Sequence, residues 1–365
     1  CLPAQPSSTR MPYAKEEFAK AFAGISARLV EELPSQFEMP PHAVRWVKEL
    51  LEASVPGGKM TRGLTVVHSL EEFVGDRELT EDELQKACVL GWCIEWLQGF
   101  FLVADDIMDQ SKTRRGNPCW YRREKPIDGA DGETVDLIAC NDSLLIEGTM
   151  YRILKLYLKG EPYYMDVVEM FMEVSYQTEL GQLLDLTSQP NTTKNNLDLF
   201  TLDVYKKIVK YKTAFYSFYL PVALAMAMAG LNSEENLALA KSILLPMGEY
   251  FQVQDDYLDC YGAPEVIGKI GTDIEENKCG WLVVQALQRV TPEQRQVLEQ
   301  HYGRSEPEDV AAVKQLYRDL DLTAVFKQYE EESFASLCKL IDEAKTDLTK
   351  EPFRALLKKI YKRSL

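Results

Sequence analysis

The apolar residues of this chain recur at helical spacing. Near the C-terminus they fall at Val325, Tyr329, Phe334, Leu337, Leu340 and Ile341, which line one face of a helix. Stretches of this kind, free of turn residues, run over 80–111, 133–159, 163–187, 203–230, 233–261 and 322–346. Each predicts a helix. Thr80-Glu81-Asp82-Glu83 reads as a capping box, with Glu83 placed to reach back to the Thr80 amide. Thr291-Pro292-Glu293-Gln294 is a second, with proline at the first helical position, and Ser305-Glu306-Pro307-Glu308 a third. Sustained period-two alternation and a strand-then-glycine unit are missing, and no Asn-Gly or Asp-Gly pair joins two alternating runs as a hairpin turn would. An all-α fold is therefore expected. Residues 121–132 and 188–202 are polar and turn-rich but show no composition shift, so they read as loops within one domain over 13–365. Residues 1–12 (CLPAQPSSTRMP) read as a disordered tail.

Composition narrows the function. The 365 residues are 46% hydrophobic and 27% charged, ordinary for a globular protein. Acids outnumber bases 57 to 41, a net charge of −16, which argues against nucleic-acid binding. An anionic ligand would have to be met by local basic residues or by metal ions. None of the eight cysteines forms a CxxC pair, and none of the three histidines lies within four residues of one. Zinc spacing is thus absent, and the thiols read as reduced in a cytoplasmic protein. The uncharged 17-residue run Phe215–Leu231 is shorter than the roughly 20 residues of a membrane span and contains Pro221, so a buried helix is expected. With no secretory signal at the N-terminus, the sequons at Asn141 and Asn191 read as chance.

Two acidic motifs carry the candidate chemistry. Asp105-Asp106-Ile107-Met108-Asp109 and Asp255-Asp256-Tyr257-Leu258-Asp259 are both DDxxD, each at the end of a long, largely apolar helix. First and last carboxylates four apart share a helix face one turn apart and repel each other. A single copy would read as a solvated acidic helix end. Two copies call for compensation, and two such faces across a cavity suit Mg²⁺, which takes carboxylates together with substrate phosphates.

Basic residues stand near both motifs. Gly57-Gly58-Lys59-Met60-Thr61-Arg62-Gly63 is expected to put Lys59 and Arg62 on one helical face, and it lacks the spacing of a Walker A loop. Lys112, Arg114 and Arg115 follow the first motif, and Lys269 and Lys278 follow the second. Lys206, Lys207, Lys210 and Lys212 open the apolar helix that also carries Thr213. Each alone reads as a surface residue; together they suit diphosphates held between metal ions and cations. No nucleophile–base set is evident, which leaves metal-assisted departure of a diphosphate to give a carbocation shielded by apolar walls.

FFLVADDIMDQSKTRRG, GEYFQVQDDYLDCYG, GGKMTRG, YKTAFYSFYLP, ELGQLLDL, GKIGTDIEENKC and the C-terminal KIYKR together resemble the farnesyl diphosphate synthases of eukaryotes, from about residue 15 to the end. The resemblance implies a large helical bundle around a deep central cavity and a homodimer. It implies condensation of isopentenyl diphosphate with dimethylallyl and then geranyl diphosphate to farnesyl diphosphate. The implied cofactor is Mg²⁺, three ions per site, with Mn²⁺ able to substitute. The implied metal residues are all six motif aspartates: Asp105 and Asp109 as the main ligands of the first motif with Asp106 between them, and Asp255 with Asp256 and Asp259 beside it. Arg114, Lys212 and Lys269 correspond to residues that hold the allylic diphosphate, with Lys278 added as a further contact. Lys59, Arg62, Gln98 and Arg115 correspond to the isopentenyl diphosphate site, over which Arg363 of the tail closes. Thr213, Tyr216, Gln252 and the Lys212 carbonyl correspond to the lining of the allylic cation, and Gln182 and Asp185 to further cavity residues. Phe100 and Phe101, five and four residues before Asp105, correspond to a floor that sets product length. Where the family commonly carries Asn in GGKxNRG, this chain has Thr61.

Overall fold

The structure, a computed structural model, describes residues 13–189, 197–262 and 271–361. They are 74% helical with almost no sheet, in agreement with the expected all-α class. The chain clusters into two compact units. One holds the residues up to Met172 together with Pro221–Ser233; the other holds Glu173–Leu220 and the residues from Glu234 onward.

The first unit contains α1 (Lys15–Gln36), α2 (Pro41–Ser54), α3 (Thr61–Phe73), α4 (Glu81–Met108) and α5 (Ile138–Leu158). Helix α4 is its axis, buried without a break from Ala87 to Phe100. The Thr80–Glu83 capping box forms as expected at its start. The Phe18 ring stacks on Trp92 at 4.9 Å, and Phe22 fills the notch between Trp92 and Trp96. Burying such rings contributes about 1.5–3 kcal/mol each. Helices α3 and α4 cross backbone against backbone, and a Cβ on Gly63 or Gly91 would collide with the carbonyl of the other. The last glycine of GGKMTRG is therefore a packing residue.

A short antiparallel hairpin, Thr113–Arg114 against Asn117–Pro118, follows α4. Its turn carries neither Asn-Gly nor Asp-Gly, which concealed it. The turn is Arg115-Gly116, with φ of 53° and 76°, so a non-glycine residue takes one of the two left-handed positions such a turn requires. The sequon at Asn141 lies on α5, where Asp142 and Ser143 are buried; Asn191 lies outside the described residues.

Helix α6 (Tyr164–Ser188) has residues in each unit. The second unit continues with α7 (Leu202–Val209), a π-helix over Lys210–Tyr219, and α9 (Glu234–Tyr261) after the buried α8 (Leu220–Met228). Then come α10 (Trp281–Leu287), α11 (Pro292–His301), α12 (Pro307–Asp319), α13 (Leu322–Glu343) and α14 (Glu351–Ile360). The Thr291 capping box forms, but that at Ser305 does not: Glu306 is the N-cap of α12 and has no side-chain cap bond. The core gathers Tyr205, Val253, Trp281, Tyr302, Tyr317 and Phe326, with Tyr257 stacked on Phe326 at 3.9 Å.

The expected single helix over 203–230 is thus broken by ten residues of π winding. Gly181 of α6 meets the π-helix at Tyr211–Lys212 so closely that a Cβ would strike the Lys212 nitrogen. Gly248 of α9 meets it at Ala214 in the same way. Phe215–Ala227 is buried, as expected. Among the described residues one helix, α4, is long and apolar enough to cross a membrane, and 83% of its apolar window is buried inside the protein.

Candidate active site

In the first unit, the end of α4 and the hairpin set the geometry. Asp106 is buried, and its Oδ1 accepts from Arg114 Nε at 3.0 Å and Nη2 at 2.6 Å. Arg114 Nη2 also lies 3.6 Å from Asp105 Oδ2. Burial works against the Arg114 charge, but the Asp106 carboxylate outweighs it and raises the pKa. Asp105 and Asp109 stay partly exposed on one face of the helix end. The middle carboxylate is thus committed to arginine, and Asp105 shares that arginine at longer range while staying partly exposed.

The tight turn sends Arg115 elsewhere. Its Nη1 donates to the Pro56 carbonyl at 2.5 Å, and its side chain lies over Gly57 and Gly58, where a Gly57 Cβ would come within 3.1 Å of it. Both glycines have positive φ and Met60 is left-handed, so α3 begins only at Thr61. This corrects the expectation for Lys59: it stands exposed on the loop, not on one helical face with Arg62. Gln98 is buried on α4, and its Oε1 has no partner among the described residues. Phe100 is buried and Phe101 half-buried, with ring centroids 4.8 Å apart. One residue escaped the sequence reading. Glu95, buried on α4, accepts the Gly63 N–H at 2.9 Å. The available signal was a lone acid inside the apolar run of α4.

In the second unit, α9 carries the other motif. Asp256 is buried and accepts from Gln252 Nε2 at 2.9 Å and from the Trp281 N–H at 2.8 Å. Burial pushes its carboxyl up to about 6 against the pull of those two bonds. Asp259 accepts the Asp273 N–H at 3.1 Å, and Gly271 packs on the Asp259 carbonyl, where no Cβ fits. Asp255 is partly exposed. Thr213 Oγ1 donates to Gln252 Oε1 at 3.1 Å, so one chain of bonds ties the π-helix through Gln252 to Asp256. The buried Asp185 of α6 meets Lys212 Nζ at 2.7 Å and Lys278 Nζ at 3.4 Å. Gln182 lies one helical turn before Asp185, and Tyr216 is buried on the π-helix. Lys269 and Arg363 fall outside the described residues.

Among the described residues no three His, Cys, Asp or Glu side chains converge as a metal cage. A fully protein-made site is therefore absent there. The donor set instead suits a hard cation that takes one or two carboxylates and completes its shell with phosphate oxygens and water.

Comparison with known proteins agrees with this chemistry. The sequence model of the family described as polyprenyl synthetase matches residues 44–320. The chain is 54% identical over 362 residues to the farnesyl diphosphate synthase of Dictyostelium discoideum, covering 98% of this chain and 93% of that one. It is 53% identical over 351 residues to the farnesyl pyrophosphate synthase of Homo sapiens, covering 96% and 81%. Among solved structures, T. brucei farnesyl diphosphate synthase complexed with minodronate superposes with a TM-score of 0.88 at 35% identity, covering 97% of this chain and 100% of that one.

Proposed function

Because this chain belongs to the polyprenyl synthetase family, we propose that its acidic motifs and basic residues serve prenyl transfer. The enzyme is a metal-dependent prenyltransferase that condenses isopentenyl diphosphate with dimethylallyl diphosphate, then with geranyl diphosphate, to give farnesyl diphosphate. Each turn breaks the allylic C1–O bond, forms a bond from C1 to C4 of isopentenyl diphosphate, and releases inorganic diphosphate and a proton.

Asp105, Asp109 and Asp255 are assigned to Mg²⁺, three ions per site, with Asp256 and Asp259 beside them. When bound, the ions would neutralise the allylic diphosphate and make it a leaving group. Arg114, Lys212, Lys269 and Lys278 hold the same diphosphate by charge. Thr213, Tyr216 and Gln252 present oxygen dipoles to the carbon that becomes cationic, a role for which the Thr213–Gln252–Asp256 chain pre-orients two of them. Lys59, Arg62, Gln98, Arg115 and Arg363 take the diphosphate that does not leave, and the unpartnered Gln98 oxygen supports this reading. No side-chain base is assigned, so the proton passes to the released diphosphate. Phe100 and Phe101 floor the apolar end.

The observation that carries the assignment is the placing of cations on carboxylates in both units: Arg114 on Asp106, and Lys212 with Lys278 on Asp185. Within each unit these contacts hold the cations in place before a diphosphate arrives. We further assign a homodimer, because α6 exposes Met165, Met172, Tyr176, Leu180 and Leu183 along one stripe. A cytoplasmic location is supported by the free thiols of the described cysteines. The deciding experiment incubates the protein with radiolabelled isopentenyl diphosphate and either allylic substrate, with Mg²⁺ or with chelator. C15 product only with metal is expected; absence of C15 product with Mg²⁺ overturns the reading.

A further inference from the structure

Glu95 has no part in the roles assigned above, yet it occupies an unusual position. It is 3% exposed, and its Oε1 holds the Gly63 N–H in the first turn of α3, directly after Arg62. Burial pushes its carboxyl up, while Arg62, the Gly63 N–H and Arg115 draw it down. Arg115 is in turn pushed down by burial, and Glu95 holds it up against the nearby Arg114 and Arg62. Acids are almost never fully buried unless paired, because desolvating the charge is costly. A cap on the Gly63 N–H does not explain the choice, since a glutamine carbonyl would accept the same bond. What the carboxylate alone supplies, held at the residue after Arg62, is a negative charge whose field reaches the Arg62 and Arg115 guanidiniums.

We propose that Glu95 is an internal counter-ion that competes with diphosphate for Arg62 and Arg115, and so sets the selectivity of that subsite for a prenyl diphosphate over free inorganic diphosphate. The inference rests on the assignment of Arg62 and Arg115 to isopentenyl diphosphate. Every turnover releases inorganic diphosphate, which carries at least as much charge as the substrate and no hydrocarbon. A subsite that bound by charge alone would favour this product. One buried carboxylate, poorly screened by salt, weakens binding in proportion to the anion's charge, so it costs fully ionised inorganic diphosphate more than its prenyl ester. The apolar contacts of the isopentenyl tail then decide which one stays.

The test uses the full-length protein in metal-free buffer with chelator, titrated with inorganic diphosphate by calorimetry, alongside steady-state kinetics with Mg²⁺. Glu95→Gln is expected to bind inorganic diphosphate about tenfold more tightly, the scale of removing one charge close to an anion in a partly buried site. Product inhibition by diphosphate should strengthen with it, and the KM for isopentenyl diphosphate should fall more than kcat changes. Glu95→Asp, which keeps the charge, should bind diphosphate as the wild type does. Unchanged or weaker diphosphate binding by folded Glu95→Gln overturns the proposal. So does failure of both variants to fold, which would make the carboxylate a structural requirement. Arg115→Ala separates the two readings. If it weakens diphosphate binding while Glu95→Gln gains nothing, only the counter-ion role falls; if it changes nothing, the subsite assignment falls and the counter-ion with it.

Discussion

Asp106 and Asp256 hold the same place in their motifs and meet the same fate. Each is buried and bonded, one to Arg114 and the other to Gln252 and the Trp281 N–H. Asp105 and Asp255 remain partly exposed and are the carboxylates able to change partner. Replacing either with Ala relieves like-charge repulsion in the metal-free protein, so the helical circular dichroism should persist. kcat/KM should nevertheless drop by more than tenfold, a loss above about 1.4 kcal/mol, and a smaller drop would remove that residue from the metal set. The two phenylalanines test a different end of the reaction. They stand about 6–7.5 Å back along α4 from Asp105, at 1.5 Å per residue. Truncating both to Ala should let products longer than C15 form, read by chromatography beside wild type. The stability cost is about 3–5 kcal/mol for a fully packed ring and less for the half-buried Phe101. A folded, active double variant that still stops at C15 would place the floor elsewhere.

Among elements, the π-helix is the one whose packing and chemistry coincide. Gly181 and Gly248 hold it from two helices, next to Lys212 and Ala214. Gly181→Ala should displace the Lys212 backbone, costing about 1–3 kcal/mol in thermal melts and lowering kcat more than the KM for isopentenyl diphosphate. An unchanged kcat would show that the contact is only packing. The start of α4 offers a check on charge. Arg77, with the Thr80 N–H, holds the Glu83 carboxyl down at about 2, below its ordinary 4.5. A lowered value stabilises the fold above pH 4.5 and loses that benefit as pH falls toward 2. Glu83→Gln should therefore cost a few tenths of a kcal/mol at pH 7 and nothing at pH 2, since the pair is largely exposed; urea midpoints at the two pH values measure it. The helices themselves were legible because apolar period and caps agree, as at Thr80 and Thr291. The hairpin was not, because its turn rests on a left-handed Arg115 in place of Asn or Asp. The π winding was hidden for another reason: Phe215–Ala227 is buried all round, so no polar face marks a change of pitch. Of the candidate site, the aspartates stood out as a repeated motif. Glu95 did not, because its meaning lies in residues 32 and 20 positions away, Gly63 and Arg115.

For the whole molecule, a net charge of −16 coexists with cations gathered near both acidic motifs. Diffusing diphosphates are repelled by most of the surface and held only where Lys and Arg are local, so raising salt should weaken that repulsion and the local attraction together. Assembly gives the sharper prediction. The stripe on α6 is too apolar to face water over its length, and light scattering should report about twice the 41.6 kDa of one chain. Tyr176→Lys with Leu183→Glu should shift the protein to monomer with its helical content retained. Persistence of the dimer would move the interface to another face.

The π-helix over Lys210–Tyr219 also constrains how this sequence can gain or lose residues over generations. A segment bonded i to i+5 holds more residues per turn than an α-helix, as though residues had been inserted into a straight one. Deleting a single codon there would let the bonds revert to i to i+4, and a helix would persist. Residues of the segment beside the deletion would move by one position, about 100° about the axis, parting Lys212 from Asp185 or Thr213 from Gln252. The chain would still make a helix and still bury its apolar residues, but the chemistry would be gone. Substitutions can wander through these ten positions; changes in length cannot.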